Sequence, residues 1–241
     1  MSHKPQVSSC SRSTSADLSI IVPVLGEHAT IHATLAHLQG LAFSGQRQII
    51  IVDGAADGAT IAGIHRPEVT CVAGPRGRAV QMNTGAALAG GRVLLFVHAD
   101  TFLPPRALDL AMAAMENQGA AAGAFGLGID ADRPAYRLIE TMANWRSRYC
   151  GLPYGDQAVF VKKNVFDALG GFRPMALMED VDLMRRLNKA GRRVVLIPDR
   201  VATSARRWEK EGIVYTTLRN WMLLALFLSG VAPERLVRWY P

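Results

Sequence analysis

The 241-residue chain is 49% hydrophobic and carries 27 Lys and Arg against 20 Asp and Glu, enough apolar mass for one large α/β domain and too much for a disordered chain. Its three cysteines, Cys10, Cys71 and Cys150, are odd in number and widely spaced, which argues against a disulfide framework or a zinc site and fits a reducing cytoplasm. The net charge of +7 calls for an anionic partner, but the basic residues are dispersed and no nucleic-acid motif accompanies them, so a phosphate-bearing ligand or an anionic membrane face is expected and nucleic acid is not.

Residues 1–16 are rich in Ser and Thr, lack an apolar core and read as a disordered tail; a single domain is expected over residues 17–241. The apolar run Leu18–Val24 reads as a strand leading to Glu27. Residues 29–38 place Ile31, Leu35 and Leu38 at helical spacing, and a strand over 48–52 ends in Asp53, which makes a βαβ start. Turn chemistry over 55–60 precedes a short helix and the strand Val69–Ala73. The loop Gly74-Pro75-Arg76-Gly77-Arg78 then sets two arginines before a helix over 79–89, an arrangement suited to an anion, though a solvated turn explains it equally well. Residues 93–101 form an apolar run that stops at Asp100 and read as a buried strand delivering that carboxylate to its end; His98 is expected to face the core. In open α/β sheets ligands bind outside the carboxyl ends of strands, so Glu27, Asp53 and Asp100 imply one site.

The second half is less regular. Helices are expected over 106–117 and 135–148, β structure over 123–129, a loop over 150–157 and a strand over 158–161. A short helix over 165–169 meets Gly170-Gly171, and a helix over 178–188 turns Val181, Met184 and Leu187 inward and stops at Gly191. A short strand over 194–197 precedes the final helix Ile213–Leu228, whose inward face is read as Leu218, Trp221, Leu224 and Leu228. The longest apolar run, 221–228, falls short of the roughly 20 residues that span a bilayer. A second reading gives that helix a membrane-surface or dimer contact, with Arg219, Arg235 and Arg238 near anionic headgroups.

Several residues are candidates for chemistry. Asp100 suits Mg²⁺ or Mn²⁺, which prefer hard oxygens shared with substrate phosphates; capping the helix after Pro104-Pro105 is the plain alternative. Glu179-Asp180 sits in a first helical turn, where a carboxylate can act as general base or simply cap. Gly155-Asp156-Gln157 suits a polar substrate or an Asx turn, and Arg206-Arg207-Trp208 offers two phosphate ligands beside an aromatic plane or a basic loop with a half-buried Trp. The chain has neither GxGxxG after its first strand nor a Walker loop, which argues against a dinucleotide enzyme and an ATPase.

In this order the pieces resemble family 2 glycosyltransferases of the GT-A fold, from about residue 18 to about 239. The matching motifs are Ile20-Ile21-Val22-Pro23 with Glu27, Ile51-Val52-Asp53-Gly54, Gly77-Arg78 through Gln81-Met82-Asn83, Val97-His98-Ala99-Asp100, Gly155-Asp156-Gln157, Met178-Glu179-Asp180 and Arg206-Arg207-Trp208. The forms Gly-Arg-x-x-Gln-Met-Asn and His-Ala-Asp-Thr look like a bacterial subgroup of small, single-domain members. The resemblance implies an α/β fold with a Rossmann-like, mostly parallel sheet flanked by helices, a nucleotide-sugar half over about 17–104 and an irregular acceptor-side half over about 105–241. It further implies a UDP or GDP sugar donor bound by Pro23, Glu27, Asp53, Arg78, Asn83, Asp100, Arg206 and Arg207, with a divalent metal, Mg²⁺ or Mn²⁺, on Asp100. Asp180 would take the proton of the acceptor hydroxyl, with Glu179 in reserve and inversion at the anomeric carbon, while Asp156, Gln157 and Trp208 would bind the acceptor. A cytoplasmic protein at the inner membrane face, with a lipid-linked acceptor and a homodimer, is compatible with that reading. Two departures stand out: His98 where many members have Asp, and Gly26 where many have Asn. Two rival readings are a nucleotidyltransferase making a sugar nucleotide, which would want a Gly-rich basic loop in place of Val24-Leu25-Gly26-Glu27-His28, and a non-catalytic membrane-surface binding module.

Overall fold

The computed structural model describes residues 16–240, so the tail expected over 1–16 lies, but for its last residue, outside the described residues, as does Cys10. In chain order the elements are β1 (Leu18–Val24), α1 (Ile31–Gly40), β2 (Arg47–Asp53), α2 (Ala59–Ala62), β3 (Val69–Ala73), α3 (Arg78–Leu88), β4 (Val93–Phe96), β5 (Thr101–Phe102), α4 (Ala107–Asn117), β6 (Ala122–Asp130) and α5 (Pro134–Cys150). After a 3₁₀ turn (Gly155–Gln157) come β7 (Phe160–Lys162), α6 (Lys163–Ala168), α7 (Glu179–Lys189), β8 (Val194–Ser204), α8 (Arg206–Glu211), α9 (Ile213–Leu228), α10 (Pro233–Leu236) and a last 3₁₀ turn (Val237–Trp239).

One eight-stranded sheet, ordered β3-β2-β1-β4-β7-β6-β8-β5, runs through both halves of the chain. β1, β2, β3 and β4 are parallel, as the βαβ alternation demands, and β6 lies parallel to β8. β7 is antiparallel to both β4 and β6 and joins the two parallel groups. The parallel strands read as unbroken apolar runs because both sheet faces are covered. Successive residues feed opposite cores: Ile20, Val22, Ile49, Ile51 and Leu95 pack on one side, and Ile21, Ile50, Val52, Leu94 and Phe96 on the other. Each such fully buried aliphatic side chain contributes about 1.5–3 kcal/mol.

Three boundaries differ from the sequence expectation. β4 stops at Phe96, so Asp100 is not at a strand end: Val97 still donates to Ile21 O (3.0 Å), then the chain turns, with Thr101 N donating to His98 O (3.1 Å). Thr34 Oγ1 ties that turn to α1 through Ala99 O at 2.5 Å. β8 is an eleven-residue strand, not a short one, and its register against β6 slips after Phe125, where Pro198 and Asp199 are left without partners. Arg206-Arg207-Trp208, one reading of which was a basic loop, open α8 (Arg206–Glu211). Pro23 is tolerated in a central strand because its missing N–H falls where the β1–β4 ladder, which ends at Ile21 and Phe96, has already finished.

Candidate active site

The start of α3, the Asp100 turn, the 154–156 loop, the start of α7 and the β8–α8 junction surround a cleft of about 490 Å³, lined among others by Arg78, His98, Asp100, Asp156, Asp180, Arg206, Arg207 and Trp208. Seven of these were expected site residues from five separate motifs. His98 was expected in the core. It faces the cleft instead, because the strand has ended two residues earlier and the strict alternation of faces no longer applies.

α7 delivers Asp180. Met178, just ahead of the helix, holds a left-handed φ of 69°, uncommon for a residue with a Cβ and so a local strain the surroundings enforce. Asp180 Oδ2 accepts from Gly155 N at 2.5 Å and Oδ1 from Val181 N at 2.8 Å. Glu179 turns the other way and forms an ion pair with Arg78. Its carboxylate is thereby committed, and Asp180 is left as the α7 carboxylate in the cleft wall. Gly155 keeps its neighbours close: a Cβ there would lie 2.9 Å from His98 Nε2 and 3.3 Å from Asp180 Oδ2, so both side chains would have to shift.

The electrostatics divide the groups. Burial, with Arg78 and Arg207 adding to it, lowers the His98 pKa to about 3, so its imidazole is neutral at physiological pH. Burial raises Asp156 to about 6, Asp180 adds to the rise, and Arg146, Arg78 and Arg207 oppose it. Asp100 is also raised by burial, with Glu27 adding and with its own backbone N–H, Arg206 and Arg207 opposing. Among the residues lining the cleft, two buried polar atoms have no partner: Asp156 Oδ1 and Trp208 Nε1. Both residues also line a narrower crevice, of about 40 Å³, that runs between α5 and α9.

Other expected residues are engaged elsewhere. Asp53 is fully buried, its Oδ1 accepting from Ala55 N (2.9 Å) and its Oδ2 from Thr60 N (2.9 Å) and Ile61 N (3.3 Å), which anchors α2. Asn83 exchanges both ends of its amide with the backbone of Phe172, at 2.7 and 2.9 Å, and pins α3 to that loop. Gln157 is fully buried and bonded to Ser147 Oγ (2.7 Å) and Phe125 O (2.9 Å), away from the cleft. Glu27 accepts from Thr30 Oγ1 at 2.8 Å and lies 4.0 Å from Arg206 Nη2 at the cleft's edge. Gln81, from the same motif as Asn83, bridges Val24 O and Val52 O at 2.8 and 2.9 Å and ties the ends of β1 and β2 together. Tyr240 and Asn220 line the cleft and were missed. Asn220 left a faint signal as the last polar residue before the 221–228 apolar run; Tyr240, which accepts a hydrogen bond from Arg207, left none.

The family model for glycosyl transferase family 2 matches residues 19–178, from β1 to the residue before α7. The chain belongs to glycosyl transferase family 2. Among solved structures, the mannosyltransferase PcManGT from Pyrobaculum calidifontis, in complex with GDP-Man and Mn²⁺, aligns with a TM-score of 0.67 at 17% identity over 92% of this chain and 67% of that one. S. aureus TarS 1-349 in complex with UDP-GlcNAc aligns with a TM-score of 0.61 at 14% identity over 91% of this chain and 69% of that one. Identities this low carry the GT-A fold and not the substrates. No curated protein matches the chain by sequence. In this glycosyl transferase no three His, Cys, Asp or Glu side chains converge as a metal cage among the described residues. Asp100 nonetheless presents hard oxygens in the cleft, which suits an ion that takes its remaining ligands from a diphosphate and water. No described helix is long and apolar enough to cross a membrane.

Proposed function

We propose that the cleft transfers a sugar from a UDP or GDP sugar to an acceptor hydroxyl, with inversion at the anomeric carbon. The observation that carries this reading is the meeting, in one cleft, of the Asp180 carboxylate, held by backbone N–H groups, with three arginines and Asp100. The donors bound by the two structural neighbours, GDP-Man and UDP-GlcNAc, support a nucleoside diphosphate sugar. Asp180 accepts the acceptor's proton as its oxygen attacks the anomeric carbon, and the Gly155 N–H fixes the carboxylate's orientation. The bond from that carbon to the diphosphate breaks with its electron pair on the diphosphate. Arg206 and Arg207 stabilise the negative charge that develops there. Asp100 would hold a Mg²⁺ or Mn²⁺ ion, whose chemistry when bound is to neutralise charge on the diphosphate. Neutral His98 adds no charge beside the sugar, and Asp156 Oδ1 with Trp208 Nε1 supply an acceptor and a donor for the incoming alcohol.

Thermal shift with UDP, GDP, CMP and dTDP sugars, with and without Mn²⁺ or Mg²⁺, tests the donor site. One nucleotide class should raise the melting temperature, and Asp100→Ala should abolish the metal-dependent part. Asp180→Asn should keep the donor shift and lower donor turnover by roughly 10³-fold or more. A panel with no shift, or an Asp180→Asn protein of unchanged turnover, sinks the reading.

A further inference from the structure

Most of the exposed large apolar side chains among the described residues lie on α5 and α9. On α5, Leu138, Met142, Trp145 and Tyr149 recur at spacings of four, three and four, one helical stripe. Trp145 is 58% exposed, and its ring stacks against Tyr149 at 5.4 Å. On α9, Leu218 is 64% exposed and Met222 follows one turn later. The inward face of α9 is Thr216, Arg219, Leu223, Leu224 and Phe227, so of the face expected in the core Leu224 is buried and Trp221 half-buried, while Leu218 and Leu228 point to solvent. Arg219 is likewise buried, bonded to Glu211 at 2.6 Å, and not available to headgroups.

The two stripes are related by the crevice. Ile139, Ala143 and Arg146 of α5 and Thr217, Asn220 and Trp221 of α9 form its walls. At 100° per residue, each exposed stripe lies roughly a quarter turn around its helix from the wall-forming face, on the side away from the core. The stripes therefore flank the crevice mouth, and Asp156 and Trp208, each with a buried polar atom that has no partner, line both the crevice and the cleft. The charged side chains that α5 itself exposes, Arg137 and Arg148, are both basic and border the apolar stripe, while its one acidic residue, Glu140, is fully buried against Arg137 and Arg200; just ahead of the helix Arg133 is exposed beside Asp130 and Asp132.

We propose that the α5–α9 face docks on an anionic bilayer surface and opens the crevice toward it, so that an acceptor carried by a membrane amphiphile reaches Asp180 from this side. The second clause rests on the glycosyl-transfer reading; the docking does not. Aromatic and aliphatic side chains enter the headgroup boundary while arginines beside them meet anionic lipid, a division of labour a soluble protein partner would not require.

The experiment floats the full chain with phosphatidylcholine vesicles, with and without phosphatidylglycerol. The chain should float with the anionic vesicles, release at high salt, and lose at least roughly tenfold in binding in Trp145→Ser/Leu218→Glu. Arg148→Glu, an exposed change that leaves the apolar stripe intact, should weaken binding to anionic vesicles alone. Absence of flotation, or flotation indifferent to both variants, overturns the proposal. So does a dimer, seen by light scattering, that the double variant dissociates while vesicles remain unbound, since the face would then serve a second copy. Nucleotide-sugar thermal shifts on the same preparations separate the two readings: a retained shift shows the variants folded, and flotation without any shift leaves docking standing while the donor site falls.

Discussion

Gly155 stands between His98 and Asp180, and its N–H holds the carboxylate. Gly155→Ala should displace both neighbours by tenths of an ångström and cut turnover roughly 10–100-fold while the melting temperature moves little, read by steady-state kinetics beside thermal melts. The buried titratable groups give a second prediction. The folded pKa of Asp156, about 6, lies above its unfolded value of 3.8, so the folded state holds the extra proton between them and stability falls as pH rises through that window. Above it the buried charge costs on the order of 2–3 kcal/mol. Asp156→Asn should therefore melt higher than the parent at pH 8, with the gap closing near pH 4. His98 runs the other way: its folded pKa of about 3 lies below 6.5, the unfolded state takes the proton first, and stability falls as pH drops below 6.5. His98→Gln should remove that acid sensitivity, measured by urea melts from pH 7 to 4. The motif order, read as a family resemblance, singled out Asp100, Asp180 and the arginine pair, and all four line the cleft. It did not announce that Asn83 and Gln157 spend their amides on backbone carbonyls and N–H groups, because an amide looks the same whether it meets a ligand or a loop.

At the scale of elements, the final helix is locked through an ion pair. Arg219 is buried with Nε and Nη2 unbonded, and Glu211 carries its one charge partner. Glu211→Gln should destabilise the protein by about 2–4 kcal/mol in denaturant melts, whereas replacing both residues with apolar ones of similar volume should restore much of that loss. α3 depends on a close approach instead: a Cβ on Gly85 would lie 2.5 Å from Ile21 Cγ2, so Gly85→Ala should cost about 1–3 kcal/mol. The first half was legible element by element because strictly buried parallel strands write themselves as apolar runs. α8 was not, since six residues with no buried side chain carry no periodic signal. β8 was cut short for a local reason, Pro198 interrupting a strand that a two-residue irregularity lets continue.

Across the whole molecule, β4 is the shared member, paired to β1 on one side and to β7 on the other. Residues 17–104 expressed alone should lack a stable fold by circular dichroism and hydrogen exchange, since β4 would present an open apolar edge. Sequence order revealed the parallel group. It could not reveal that β7 inserts antiparallel or that β5 reaches the far edge of the sheet, because such pairings are decided by long-range closure and not by local pattern. That two-residue strand has a wider effect. β5 begins at the residue after Asp100 and pairs Thr101 with Thr203 and Phe102 with Ala202, while Arg206 and Arg207 follow two and three residues beyond the end of β8. The carboxylate that would hold the diphosphate's metal ion and the guanidiniums that would meet its oxygens are thus bolted to a single crossbar. Their separation is set by the sheet, like the jaws of a fixed wrench, so any widening or narrowing of the grip for a different nucleotide must come from the walls contributed by α9 and the C-terminal turn.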